Sequence, residues 1–181
     1  FKGHIQITKY DANNSDVSVM PISKNQKFYP TFSNIKGIKN VQVYANQVGL
    51  IRTKTDFEGI VFKGVSTDYD WTFFKEYLIA GRIPDFNQKR TRDVLLSKTI
   101  INRLQLQLND TINVTFFKSK ASKLPSNRKF VITGIYNTGF LEFDKNMMIG
   151  DIRQVQRLNR WNENEVGGFE VILENFDELQ Q

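Results

Sequence analysis

Arg92-Asp93-Val94-Leu95-Leu96-Ser97 opens the part of this chain whose reading decides the fold class, together with the strand-like runs Thr111 to Phe117 and Lys129 to Tyr136 downstream of it. The apolar triplet at 94–96 is short and reads as a buried strand. Ser97 is a good N-cap, and Ile100, Ile101 and Leu104 then recur at helical spacing. The two downstream runs are rich in β-branched and aromatic residues, so strand follows strand with no helix between them. This order lacks regular βαβ alternation and predicts an α+β domain.

Working back towards the start, Asp70 is placed to cap a helix with Trp71, Phe74 and Leu78 on one face and Gly81 as its stop. Val41 with Val43, Val48 with Leu50, and Ile60-Val61-Phe62 predict three successive strands, the last preceded by a turn at Asp56-Phe57-Glu58-Gly59. Phe28, Phe32 and Ile35 fall at helical spacing ahead of Gly37, with Pro30 tolerable only near the helix start. A loop rich in Asn, Asp and Ser covers Asp11 to Asp16, and Gly3 to Thr8 alternates as a half-buried strand with His4 facing water. Towards the end, Asp151 opens a helix with Ile152, Val155 and Leu158 inward, and Phe169 to Leu173 forms a closing strand.

With 181 residues, 40% hydrophobic and 13% aromatic, the chain can bury a core without staples. Cysteine is absent, which excludes disulfides, zinc-thiolate sites and thiol catalysis. The single histidine lacks partners for a metal site. No uncharged apolar run reaches the ~18 residues of a membrane span. The chain starts at Phe1 without methionine and stops in mid-pattern at Gln181, so it reads as a fragment.

The net charge of +6 is local. No acid occurs between Asp110 and Glu142, where Lys118, Lys120, Lys123, Arg128 and Lys129 are found. Beyond Arg160 there are only acids: Glu163, Glu165, Glu170, Glu174, Asp177 and Glu178. A basic loop of this kind fits a protein partner or an anionic membrane surface. A nucleic-acid surface built on Phe116, Phe117 and the lysines is the competing reading. Adjacent strand residues point to opposite faces, so only one of the two rings can join such a surface, and the acidic end repels phosphate.

No GxxxxGK[ST] phosphate loop, GxSxG, HExxH or Ca²⁺-loop pattern occurs. Asp68 with Asp70, and Glu142 with Asp144, read as caps or turns. Nothing predicts a catalytic set, a cofactor or a metal, and the expectation is a protein that is not an enzyme.

The order of segments carries a resemblance. Ile60-Val61-Phe62-Lys63-Gly64-Val65 precedes Leu78-Ile79-Ala80-Gly81-Arg82, then Asp93-Val94-Leu95-Leu96-Ser97, Leu106-Gln107-Leu108-Asn109-Asp110-Thr111-Ile112, Arg128 to Tyr136, Glu142-Phe143-Asp144 and Ile149 to Leu158. Together these resemble the extracytoplasmic core domain of FtsX-like and MacB-like ABC-transporter permeases. The Gly3-His4-Ile5 start and the Gly168-Phe169-Glu170-Val171 end are most similar to lipoprotein-releasing permeases. Asn109-Asp110 stands where the family usually has Gly-Asp, and Asn is the next best residue at a positive φ.

The resemblance implies a two-lobed domain: a mixed-sheet lobe from residues 1–66 and 146–181, and a smaller β-rich lobe inserted over 67–145. It implies flanking transmembrane helices, a location on the periplasmic side of the bacterial inner membrane, a second permease subunit and a cytoplasmic ATPase. Lipoprotein cargo and a periplasmic lipoprotein chaperone are implied as further partners, and no nucleic acid; MacB-like efflux is the alternative within the family, and a free-standing basic nucleic-acid-binding β-domain the alternative of a different class. The arm from Phe116 to Arg128 corresponds to a longer chaperone-gripping hairpin, and partner contact is expected at Phe117, Lys118, Lys120, Lys123, Leu124, Pro125 and Arg128.

Overall fold

A computed structural model describes residues 5–9, 17–18, 20–32, 35–117 and 125–174. Strands β1 (Ile5–Thr8) and β2 (Ile22–Ser23) precede the long β3 (Ile38–Arg52) and β4 (Phe57–Val65). Helix α1 (Thr72–Tyr77) runs into β5 (Leu78–Gly81), and β6 (Asp93–Ser97) into α2 (Lys98–Arg103). Then come β7 (Thr111–Phe116), β8 (Ser126–Tyr136), α3 (Leu141–Asp144) and β9 (Met147–Asp151). Helix α4 (Ile152–Asn159), β10 (Glu165–Val166) and β11 (Gly168–Leu173) complete the order.

One mixed sheet of nine strands dominates, in the order β1-β11-β3-β4-β9-β6-β8-β5, with β7 bridging β3 and β8. Because β7 pairs with both, the strands β3, β4, β9, β6, β8 and β7 close into a ring. The β4–β9 and β6–β8 pairs are parallel and the other pairs of the ring antiparallel. This is the α+β class read from the sequence. The β9–β6 and β3–β7 pairs join the expected terminal segments to the expected insert, so a single hydrogen-bonded sheet spans residues of both.

A closed sheet must fill its inside and cover its outside, and alternating strand residues do both. Val94 and Leu96 belong to one apolar cluster and the intervening Leu95 to the other; Met148 and Ile149 divide the same way. The inner cluster centres on three rings: Phe62 lies 5.9 Å from Phe116 and 5.3 Å from Phe130, centroid to centroid, and Phe116 lies 6.1 Å from Phe130. The outer cluster holds Val65, Tyr69, Phe74, Leu95, Tyr136 and Ile149, with α1 laid over it.

Local signals explain the helix ends. Ser97 Oγ accepts the Ile100 amide at 3.2 Å, and Asp151 accepts the Arg153 amide at 2.9 Å, so both predicted caps form. Asn109 adopts φ 70°. Four expectations are corrected. The two strands read at 41–43 and 48–50 are one strand, and the turn after it is Thr53 to Asp56, where the Thr53 amide donates to the Asp56 carbonyl at 2.9 Å. Phe57 to Gly59 are strand, because β3 is long enough to pair β4 along its whole length. No helix forms over Phe28 to Ile35 among the described residues. Pro30 has no N–H and biases Tyr29 away from helix. Phe28 instead stacks on Phe32 at 5.1 Å and meets Phe169 edge-on at 5.0 Å. Finally, the helix expected to be capped by Asp70 starts one residue later, with Trp71 at its N-cap and no side-chain cap bond, and is shorter than read, since Leu78 to Gly81 form β5. His4 and residues 11–16 lie outside the described residues.

Helix α4 packs against β3, β4 and β9 where the backbone itself is bare. A Cβ on Gly64 would stand 2.7 Å from the Ile152 Cα, and a Cβ on its neighbour Gly150 would stand 2.6 Å from the Phe62 ring. Gly64→Ala should therefore push α4 off the sheet. We expect a loss of about 1–3 kcal/mol, measured by urea unfolding with an unchanged m-value. Ala at the exposed Gly59, which has open space, should be near neutral.

Candidate functional site

The expected partner arm joins the end of β7 to the start of β8. Phe116 is fully buried and Phe117 is 54% exposed, as alternation across a strand requires. The Phe117 carbonyl accepts a hydrogen bond from Gln47 Nε2 at 2.9 Å, which anchors the base of the arm to β3. Pro125 is exposed immediately before β8. Lys118, Lys120, Lys123 and Leu124 lie outside the described residues. Arg128 sits within β8 opposite Val114 and is half-buried, with its Nε shielded and unpartnered. The structure thus places Phe117 and Pro125 just outside the paired ends of β7 and β8, and Arg128 within β8 itself, in the body of the sheet.

A second polar centre lies on the outer face of the ring, and the composition reading missed it. Lys63 and Glu170 are both almost wholly buried and form an ion pair at 2.5 Å. The Lys63 ammonium also lies 5.7 Å from the ring centroids of both Tyr44 and Tyr69, a cation–π arrangement. Glu170 accepts further hydrogen bonds from Gln42 Nε2 at 3.0 Å and Gln6 Nε2 at 3.4 Å. Gln42 Oε1 in turn accepts the Asp70 amide at 2.9 Å. Asp68 accepts the Val43 amide at 3.0 Å and the Tyr29 hydroxyl at 2.8 Å.

Burial works to raise the Glu170 carboxyl, but the Lys63 charge and the hydrogen bonds of Lys63 and Gln42 outweigh it, so Glu170 titrates below its ordinary value. For Asp68 the balance reverses. Burial raises its carboxyl despite the Tyr29 hydroxyl and the Val43 amide. Burial also raises Tyr29, helped by the neighbouring Asp68. The network links β1, β11, β3 and β4 to the segment leading into α1. It is a clamp between the terminal strands and the ring, with no nucleophile or water-facing base in it.

The signal for this clamp was present. Lys63 interrupts the apolar run from Ile60 to Val65, and Glu170 interrupts the run from Phe169 to Leu173. A single charge inside each of two apolar strands points to a buried pair, because neither can be buried alone. Of the acids read as caps or turns, Asp70 accepts the Thr72 amide at 2.9 Å just ahead of α1 without being its N-cap, and Asp144 accepts the Thr138 hydroxyl at 2.7 Å and the Gly139 amide at 3.0 Å, whereas Asp68 bonds across the fold and Glu142 pairs with Lys145 at 2.9 Å. Among the described residues no group of three or more His, Cys, Asp or Glu is placed to hold a metal ion.

No protein-family model matches the chain, and no curated protein does. Solved structures do. The chain is similar to the extracellular domain of the noncanonic ABC-type transporter YknZ from Gram-positive bacteria, with TM-score 0.60 and 13% identity, over 97% of this chain and 85% of that one. It is similar to the periplasmic region of MacB from Actinobacillus actinomycetemcomitans, with TM-score 0.59 and 14% identity, over 94% of this chain and 73% of that one. The fold is therefore that of the MacB-like periplasmic domains, a mixed α+β architecture with a large sheet and few helices.

Removing one partner of the clamp should cost about 3–5 kcal/mol, since the other charge is left buried and unpaired. Lys63→Met alone or Glu170→Leu alone should show this by thermal or urea unfolding, and the double substitution should recover most of it. Stability owed to the ionised Glu170 should be complete above pH 4.5, its ordinary value, and should fade as pH drops through its lower native value. In the Lys63→Met, Glu170→Leu double variant that acid limb should be shallower.

Proposed function

We propose that this chain is the extracytoplasmic domain of an ABC-transporter permease, carried between membrane helices and driven by an ATPase in the cytoplasm. The observation that supports it most is the fold, shared over nearly the whole chain with the extracellular domain of the ABC-type transporter YknZ and with the periplasmic region of MacB. A second observation fits. β1 and β11 pair antiparallel with Ile5 opposite Val171, so Ile5 and Leu173 lie at the same end of adjacent strands. A domain tethered at both ends to one bilayer requires that placement. None of the described helices is long and apolar enough to cross a membrane.

The part such a domain plays is mechanical. Movement of the membrane helices arrives through β1 and β11, and the Lys63–Glu170 clamp passes it to the ring without slack. A buried pair with all partners in place suits this, because its bonds have one geometry and reject others. In this reading the cargo is lipoprotein released from the membrane, on the resemblance of the Gly3-His4-Ile5 start and the Gly168-Phe169-Glu170-Val171 end to lipoprotein-releasing permeases. Efflux is the second reading, favoured by the likeness to the MacB periplasmic region. The division into a terminal lobe (1–66 and 146–181) and an insert (67–145) is part of the same proposal, as is partner contact through the arm.

Two experiments test this. The complete gene product, tagged and extracted from host membranes, should bring down ATPase activity; recovery only from the aqueous fraction, without ATPase, would defeat the permease assignment. In cells depleted of it, lipoproteins should accumulate in the inner membrane, whereas heightened sensitivity to toxic compounds with normal lipoprotein sorting would select efflux. Separately, Lys118→Glu, Lys120→Glu and Lys123→Glu together should leave the melting temperature nearly unchanged while reducing transport. Wild-type transport by that triple variant would remove the arm from the partner-binding surface.

A further inference from the structure

Beside the base of the arm, Arg90, Arg92 and Arg157 lie within electrostatic reach of Arg128, and among the described residues no acid is left to balance the four. Asp93 pairs with Val131 in the parallel β6–β8 ladder, and the Val131 amide donates to the Arg92 carbonyl at 2.9 Å. Followed backwards, this register brings Arg90 and Arg92 alongside Arg128. Gln154 Nε2 donates to the Thr91 carbonyl at 2.7 Å, which ties α4 to the same segment and sets Arg157, one turn further on, at its side. The two nearby acids are occupied. Asp93 pairs with Arg82 at 2.7 Å, and Asp151 with Arg153 at 2.7 Å. Arg153 is itself spent on the Phe86 and Gln88 carbonyls. Among the described residues, Arg90, Arg92, Arg128 and Arg157 make no ion pair or side-chain hydrogen bond.

The four are held by the fold and not merely scattered on it. Arg128 comes from a ring strand, Arg90 and Arg92 from the segment feeding the neighbouring strand, and Arg157 from the helix packed on the sheet. On an ordinary surface like charges spread apart, and a half-buried guanidinium with a shielded, unpartnered Nε is costly to keep. Burial first, and then the charges of Arg157, Arg90 and Arg92, lower the Arg128 guanidinium below its ordinary value. A bound anion reverses each of these penalties.

We propose that Arg128, with Arg90, Arg92 and Arg157, forms a binding site for a phosphoryl group. A phosphoryl group carries one negative charge as a lipid diester and close to two as free phosphate, with several acceptor oxygens in either case, which matches planar guanidinium forks that each donate in parallel pairs. The group comes either from a lipid headgroup or from a soluble phosphate. The site stands on the geometry of these residues and does not rest on the transport reading.

Calorimetric titration of the 181-residue chain with inorganic phosphate and pyrophosphate at low salt is the test. Co-sedimentation with phosphatidylcholine vesicles, with and without phosphatidylglycerol, runs beside it. Saturable binding that weakens with salt is expected. Arg128→Gln should weaken it at least about tenfold, the worth of one charge-assisted hydrogen bond. Arg157→Gln, at an exposed position, should weaken it with the melting temperature unchanged, so loss of folding cannot explain the result. Arg128→Lys should fall between, having the charge without the fork. Lys98→Gln, on α2, should bind as the parent does. Binding only to phosphatidylglycerol vesicles assigns the site to a lipid headgroup, and binding to free phosphate without vesicle preference assigns it to a soluble ligand. The proposal is overturned by absence of both, by parental affinity in Arg128→Gln and Arg157→Gln, or by preference for a poly-glutamate peptide over phosphate.

Discussion

Closure of the strand ring imposes the constraint on which the rest of this molecule depends. Each ring strand must present one set of side chains to a narrow interior and the other to a covering layer. The interior accepts Phe62, Phe116 and Phe130 because Gly150 leaves room for the Phe62 ring, and α4 seals against the same surface because Gly64 exposes bare backbone. The outside is covered by α1 and the aromatic residues around Tyr69 and Phe74. Neither apolar cluster would exist without the other, since alternate residues of the same strands build both. Exterior positions of a closed ring are thus as buried as interior ones wherever another layer lies on them.

That double burial is what forces the Lys63–Glu170 pair to be complete. Lys63 alternates with Phe62 and Gly64 and points outward, yet the covering layer denies it water. A charge in that position needs an opposite charge, aromatic faces and hydrogen-bond partners together. Here they come from β11, β3, β1 and the segment before α1. The pair costs more to break than it contributes to net stability, so its value lies in the single arrangement it permits. Terminal strands bound in this way cannot slip in register relative to the ring, which is the property a domain moved by its ends would require.

The arginines at the arm base obey the same electrostatics with the opposite result. There the local acids are already committed to Arg82 and Arg153, so among the described residues the remaining guanidiniums have no counter-charge. Within one small domain, one cluster of charges is satisfied internally and another is left open to an outside ligand. The first reads as structure and the second as function, and only the list of partners separates them.

Much of this was legible from residue order alone. The caps at Ser97 and Asp151, the paired runs read to Phe117 and from Lys129, and the closing strand at Phe169 to Leu173 are local signals, each made within a few residues. The absence of βαβ alternation was enough for the α+β class. The false helix at Phe28 to Ile35 shows the limit of such signals, because three apolar residues at helical spacing serve equally well as a stacked pair under Phe169. Ring closure, the two glycine contacts, the clamp and the convergence of Arg90, Arg92, Arg128 and Arg157 depend on residues far apart in the chain. Propensity and periodicity act over one or two turns, whereas these contacts are set by which strands become neighbours, and only the tertiary structure decides that.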